Sequence, residues 1–168
     1  MITDLVQIRR LGEKKRPQNE RFRVYLKSHD YSDGALRKIA EESEEQIDCT
    51  QCANCCRVAT VETSERDIQR LARHLQITPA RFRDQYTMKD MFGDLSLRWT
   101  KEHGCVFLEG NLCSVYEVRP DTCKGFPHLV RGSSSIAARM LQFIDRSIYC
   151  PIVYNSMEAF KKHLGFTR

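Results

Sequence analysis

Apolar positions along this 168-residue chain recur mostly at helical spacing, with one alternating stretch in the middle. Ile2, Leu5, Val6, Ile8 and Leu11 predict a short amphipathic helix ending at Gly12. Lys14, Lys15, Arg16 and Pro17 read as a basic connector. A second helix follows, with Asn19 as cap and Phe22, Tyr25 and Leu26 on one face. His29 to Gly34 is a turn cluster. Leu36, Ile39 and Ala40 mark a third helix that ends near Ile47, with Glu41, Glu42, Glu44 and Glu45 as its solvated side.

Val58 to Val61 predicts an extended segment. Ser64 and Asp67 have the spacing of a capping box, and they open a helix carrying Ile68, Leu71, Ala72 and Leu75. Thr78-Pro79 sets another start, a capping hydroxyl followed by proline at the first helical position, with Phe82 and Tyr86 on the buried side. Leu95, Leu97 and Trp99 alternate with polar residues, as in a half-buried strand. Glu109-Gly110-Asn111 between two apolar runs signals a hairpin. Arg119-Pro120-Asp121 and Gly125-Phe126-Pro127 read as turns. Ser133, Ser134 and Ser135 lead into a helical pattern at Ile136, Met140, Phe143 and Ile144, ended by Cys150-Pro151. Asn155 or Ser156 caps a last helix over 155–165, with Met157, Phe160 and Leu164 inside and Gly165 as its stop.

The expected class is α+β: a small mixed domain with helices flanking a short β-hairpin and cysteine-rich loops. With no repeat or long linker, the chain reads as one domain. Its parts are N-terminal helices over 1–46, a cysteine-rich metal-binding core over 47–152, and the C-terminal helix.

Composition narrows the function. Hydrophobic residues make up 41% and charged residues 29%, as in a globular protein rather than a disordered one. No apolar run approaches the roughly 20 residues that span a bilayer, and the N-terminal segment carries no signal-peptide core. A cytoplasmic location and reduced cysteines are the resulting expectations. The net charge of +5 sits in residues 1–27, whereas residues 30–48 are acidic. A basic first helix packed against that acidic segment accounts for the asymmetry. Two metal sites of four thiolates would each carry about −2 and bring the total near +1, weakening any pull on nucleic acid. Nucleic acid therefore ranks last among partners, there is no membrane, and a protein partner stays open.

The chemistry lies in eight cysteines. Cys49, Cys52, Cys55 and Cys56 fall within eight residues; Cys105, Cys113, Cys123 and Cys150 follow. Reduced cysteines so clustered point to metal or redox chemistry. A Cys-x2-Cys-x2-Cys loop turns three thiolates toward one centre, the spacing of iron–sulfur ligands, and Cys150-Pro151 suits a distant fourth ligand. Zinc knuckles more often use two Cys-x2-Cys pairs, so the pattern favours an iron–sulfur cluster over zinc. In an extended backbone the sulfurs of Cys55 and Cys56 point apart, which assigns Cys56 to a second site. A hairpin centred on Glu109 would set Cys105 and Cys113 directly across from each other. The expected division is Cys49, Cys52, Cys55 and Cys150 in one site, and Cys56, Cys105, Cys113 and Cys123 in the other. His103 and His128 read as loop histidines. Arg119 either serves thiolate sulfur or pairs with Glu117 or Asp121.

The whole motif, from Cys49-x2-Cys52-x2-Cys55-Cys56 through Cys105-Val-Phe-Leu and Cys113-Ser-Val-Tyr-Glu-Val-Arg-Pro-Asp-Thr-Cys123-Lys-Gly-Phe-Pro127 to Cys150-Pro151, resembles the YkgJ-type cysteine-cluster family. The resemblance covers roughly residues 45–152. It implies a bacterial zinc- or iron-chelating domain and leaves the metal open. Flagellin lysine methylases are similar in their cysteine-rich part, which implies an iron–sulfur-dependent protein-modifying enzyme as the alternative function. No separate methyl-donor motif accompanies it here.

Overall fold

The computed structural model describes residues 1–89, 93–132 and 134–167. The class is α+β, as the pattern predicts: helices interspersed with three two-stranded antiparallel ladders. The backbone groups into two compact units, one of Met1–Asp48 with Pro127–Arg168, the other of Cys49–Phe126.

In the first unit a single helix runs from Leu5 to Ser28, with Asp4 capping its N-terminus through Gln7 N. The basic connector and second helix start expected at Lys14–Asn19 are absent, because Pro17 lies inside this helix. Proline forfeits one backbone hydrogen bond there. The helix persists because its buried stripe continues in phase through the interruption: Ile8, Gly12, Asn19, Phe22 and Leu26 are all buried. Asn19 is no cap. Its side-chain oxygen accepts from the buried Lys161 Nζ at 2.9 Å.

Ser32 caps the next helix, Asp33–Glu45, so Gly34 belongs to the helix rather than to the turn. Leu36 and Ala40 are buried on it, and Glu41, Glu42 and Glu45 are exposed as expected. The charge pairing differs from the expected one. Lys15 and Arg16 pair with Glu158 and Asp145, not with the acidic 30–48 segment. Ile136, Met140, Phe143 and Ile144 are buried around the Met140–Arg146 helix. Ser133, part of the expected lead-in, falls outside the described residues. The last helix spans Pro151–His163 and starts four residues earlier than expected, with Cys150 as N-cap and Pro151 in the first turn. That is the same proline preference that marks Thr78-Pro79.

The second unit is built on the capped helices Glu65–His74 and Pro79–Tyr86. Both predicted caps are present. Ser64 Oγ accepts from Asp67 N while Asp67 Oδ2 accepts from Ser64 N at 3.0 Å, and Thr78 accepts from Arg81 N. Thr87–Lys89 pairs with Leu95–Leu97, and Val61 of the expected extended segment lies along the latter through Leu97 N to Val61 O at 2.8 Å, whereas Val58, its expected start, ends a short helix. Ile68, Leu71, Ala72, Phe82, Leu97, Cys105, Phe107 and Val115 form the core of this unit. The Phe82, Tyr86 and Phe107 rings stack with centroids 5.2 to 6.3 Å apart.

Candidate metal centre

The cysteine run is helical, not extended. Cys49–Cys52 forms one turn, Ala53 enters the left-handed region at φ 46°, and Asn54–Val58 forms a second short helix. Helical geometry corrects one expectation: Sγ of Cys55 and Sγ of Cys56 do not point apart but lie 3.9 Å from each other.

Two residues that the sequence reading missed hold this run in place. The Arg57 guanidinium donates to Cys52 O at 3.0 Å, to Gly110 O at 2.7 Å and to Asn111 Oδ1 at 2.5 Å. Asn111 Nδ2 in turn donates to Gln51 O at 3.0 Å. One charged side chain and one amide thus tie the first cysteine loop to the hairpin turn. The available signal was a cation directly after the fourth cysteine and an amide within the Gly110-Asn111 turn.

The hairpin is offset from its expected position. Leu108 pairs with Cys113 and Glu109 with Leu112, so the turn is the two-residue Gly110-Asn111 with Gly110 at φ 61°. Cys105 is not opposite Cys113. It pairs with Trp99 in a separate ladder, next to Gly104 pairing with Thr100. Gly104 has φ 73°, and a Cβ there would stand 2.7 Å from Cys56 O and 3.1 Å from Arg57 Cα. Only glycine lets the strand bearing Cys105 approach the cysteine run so closely. Cys123 sits in the helix Asp121–Gly125, between the two expected turns.

Four cysteines separated in sequence share one electrostatic neighbourhood. Burial pushes the Cys105 thiol up to about 11, opposed by the Phe107 N–H that donates to it, with Cys56 and Cys113 adding to the rise. Burial likewise raises Cys113, against the N–H of Val115 and the charge of Arg119, while Cys56 adds to the rise. Cys123 is pushed up to about 12 by burial and then by Cys105, Cys56 and Cys113. Cys56 is lowered to about 7, chiefly by its hydrogen bond with Cys55 and despite burial, with Arg57 assisting. Each of the six pairs among Cys56, Cys105, Cys113 and Cys123 therefore interacts.

The donor chemistry fits a thiophilic metal. Backbone N–H groups already aim at the sulfurs of Cys105 and Cys113, which favours thiolates, and Arg119 brings positive charge. Burial, with repulsion from neighbouring sulfurs, makes Cys105, Cys113 and Cys123 resist ionisation; a soft divalent cation replaces their protons and converts that repulsion to ligation. As the side chains stand, no three His, Cys, Asp or Glu groups among the described residues close around one ion-sized centre. The fit is one of donor type and neighbourhood rather than of a closed cage.

The other predicted residues fall as follows. Cys49 is exposed and Cys52 half-buried. Cys150 is buried and belongs to the first unit. No disulfide joins any of the eight cysteines, all of which are described. His103 is exposed, with its backbone N–H on Thr100 Oγ1, and His128 belongs to the first unit. Arg119 lies over the Tyr116 ring at 3.7 Å. Asp121, an expected partner of Arg119, instead accepts from Arg70 at 3.0 Å. No described helix is long and apolar enough to cross a membrane.

A family model named CxxCxxCC, described as "Putative zinc- or iron-chelating domain", matches residues 48–151. No curated protein and no solved structure is similar enough to the chain to count as a match.

Proposed function

Because the chain belongs to the CxxCxxCC family, we propose that residues 49–126 form a metal-chelating unit with Cys56, Cys105, Cys113 and Cys123 as one four-thiolate site. Cys49, Cys52 and Cys55 form a neighbouring donor group. The single observation that carries the reading is the convergence of four thiols from four separate elements, with Cys56 and Cys113 packed against the core cluster that contains Cys105 and with Cys123 near all three. The Cys-x2-Cys-x2-Cys spacing favours an iron–sulfur cluster over zinc. Bound there, the metal would cross-link segments whose ladders are only two residues long, so ligation supplies much of the order of this unit.

The test is site-resolved alkylation of the full reduced chain, read by mass spectrometry. In metal-loaded protein Cys56, Cys105, Cys113 and Cys123 should be protected together and become labelled together when a chelator strips the metal. Four labelling rates that do not respond to metal in concert would overturn the assignment.

A further inference from the structure

Trp99 is the single tryptophan of the chain. Its indole Nε1 is buried and has no hydrogen-bond partner among the described residues. A buried N–H without an acceptor is costly, and a native fold rarely keeps one without a use for it. The antiparallel register sets Trp99 directly opposite Cys105. Opposed residues in such a ladder project to the same face of the sheet, with Cβ atoms about 4.5–5.5 Å apart. The neighbour on that face is therefore a sulfur that already receives one N–H, from Phe107, and to which the indole N–H makes no hydrogen bond as the side chains stand.

A neutral thiol is a weak acceptor, whereas a thiolate is a strong one. An indole is donor-only, so it has no competing use for a lone pair. Gly104 lets this ladder pack against the backbone of Cys56 and Arg57, so the Trp99–Cys105 pair belongs to the four-cysteine neighbourhood.

We propose that Trp99 is a positioning residue for the metal centre, its indole N–H donating to the Cys105 thiolate sulfur once that sulfur is a ligand. This rests on the metal-chelating reading above and adds an outer-shell donor to it. Such donors fix ligand orientation and tune how tightly the metal is held, typically by 10- to 100-fold. A π-face contact alone would leave the N–H indifferent to metal.

The experiment uses the full chain with selectively 15N-labelled tryptophan, titrated with zinc under reducing conditions, and compares the wild type with Trp99→Phe. The single indole N–H resonance should shift on loading and its exchange with water should slow. Trp99→Phe should bind the same number of zinc ions but release them to a chelator about 10-fold faster. A wild-type chain that loads zinc with an unmoved indole resonance overturns the inference and leaves the metal reading standing. So does a Trp99→Phe variant that releases zinc at the wild-type rate. Should that variant fail to fold, the wild-type resonance decides alone. A wild-type chain that takes up neither zinc nor, on reconstitution with iron and sulfide, a cluster overturns both readings.

Discussion

Replacing Gly104 by alanine should be among the most damaging single-methyl changes in the cysteine-rich unit. Two costs combine. At φ 73° an L side chain is strained, by about 1–2 kcal/mol. The new Cβ would also meet backbone, at 2.7 Å from Cys56 O, 3.1 Å from Arg57 Cα and 3.4 Å from Cys56 C. Backbone cannot rotate away as a flexible side chain would, so the strand must withdraw, at a cost of about 1–3 kcal/mol. The sum, about 2–5 kcal/mol, is a large share of the roughly 5–15 kcal/mol that holds a domain together. Withdrawal also moves Cys105 away from Cys56, so metal retention should fall with stability. Gly110→Ala separates the two costs: its φ is 61°, yet nothing lies within 4 Å of the added Cβ. It should lose only the conformational part. Chemical denaturation of both variants, with metal content measured in parallel, provides the comparison. Equal losses for the two variants would refute the close-approach argument.

Two further outcomes follow from local structure. Pro17→Ala should stabilise the chain by about 1–3 kcal/mol, because it restores a helical N–H in a helix that already runs through this position; a lower thermal midpoint would mean that Pro17 has a packing role of its own. For Asp67, burial pushes the carboxyl up, but hydrogen bonds from Ser64 and Asp121 N and the charge of Arg70 outweigh it and hold the carboxyl below its ordinary value. A depressed carboxylate contributes stability that is present above its unfolded value near 4 and is lost as pH falls through the folded value. The stability gap between wild type and Asp67→Asn should therefore narrow on acidification from pH 7 to pH 3, and a gap independent of pH would contradict this.

Where a local rule involved only a few neighbouring residues, the fold could be read directly. Ser64 with Asp67, and Thr78 with Pro79, needed no tertiary information because their bonds close within three residues. The long first helix was missed because Gly12 and Asn19 occupy buried positions without being apolar, so the stripe looked broken on both sides of Pro17. The early start of the last helix is hidden because Cys150-Pro151 serves equally as a ligand motif, as the end of the preceding segment and as a helix start. Spacing shows that the cysteines cluster along the chain, but not how the hairpin and the short ladders place them. Hairpin register depends on which two residues turn: with Gly110-Asn111 as the turn, Cys113 falls opposite Leu108, three residues from Cys105, and Cys105 pairs with Trp99 in a separate ladder. The roles of Arg57 and Asn111 are not legible in the sequence because the bonds that tie the cysteine loop to the hairpin turn cross more than 50 residues.

The central claim is that this chain chelates metal through its cysteines, and the most direct test is the content of oxygen-free purified protein. Iron, zinc and acid-labile sulfide per chain should be measured together with the visible spectrum. Iron with matching sulfide, about four of each per cluster, is the predicted result. Zinc without sulfide would keep chelation and overturn the iron–sulfur preference. A folded chain with all eight thiols titratable and no metal retained would contradict the account.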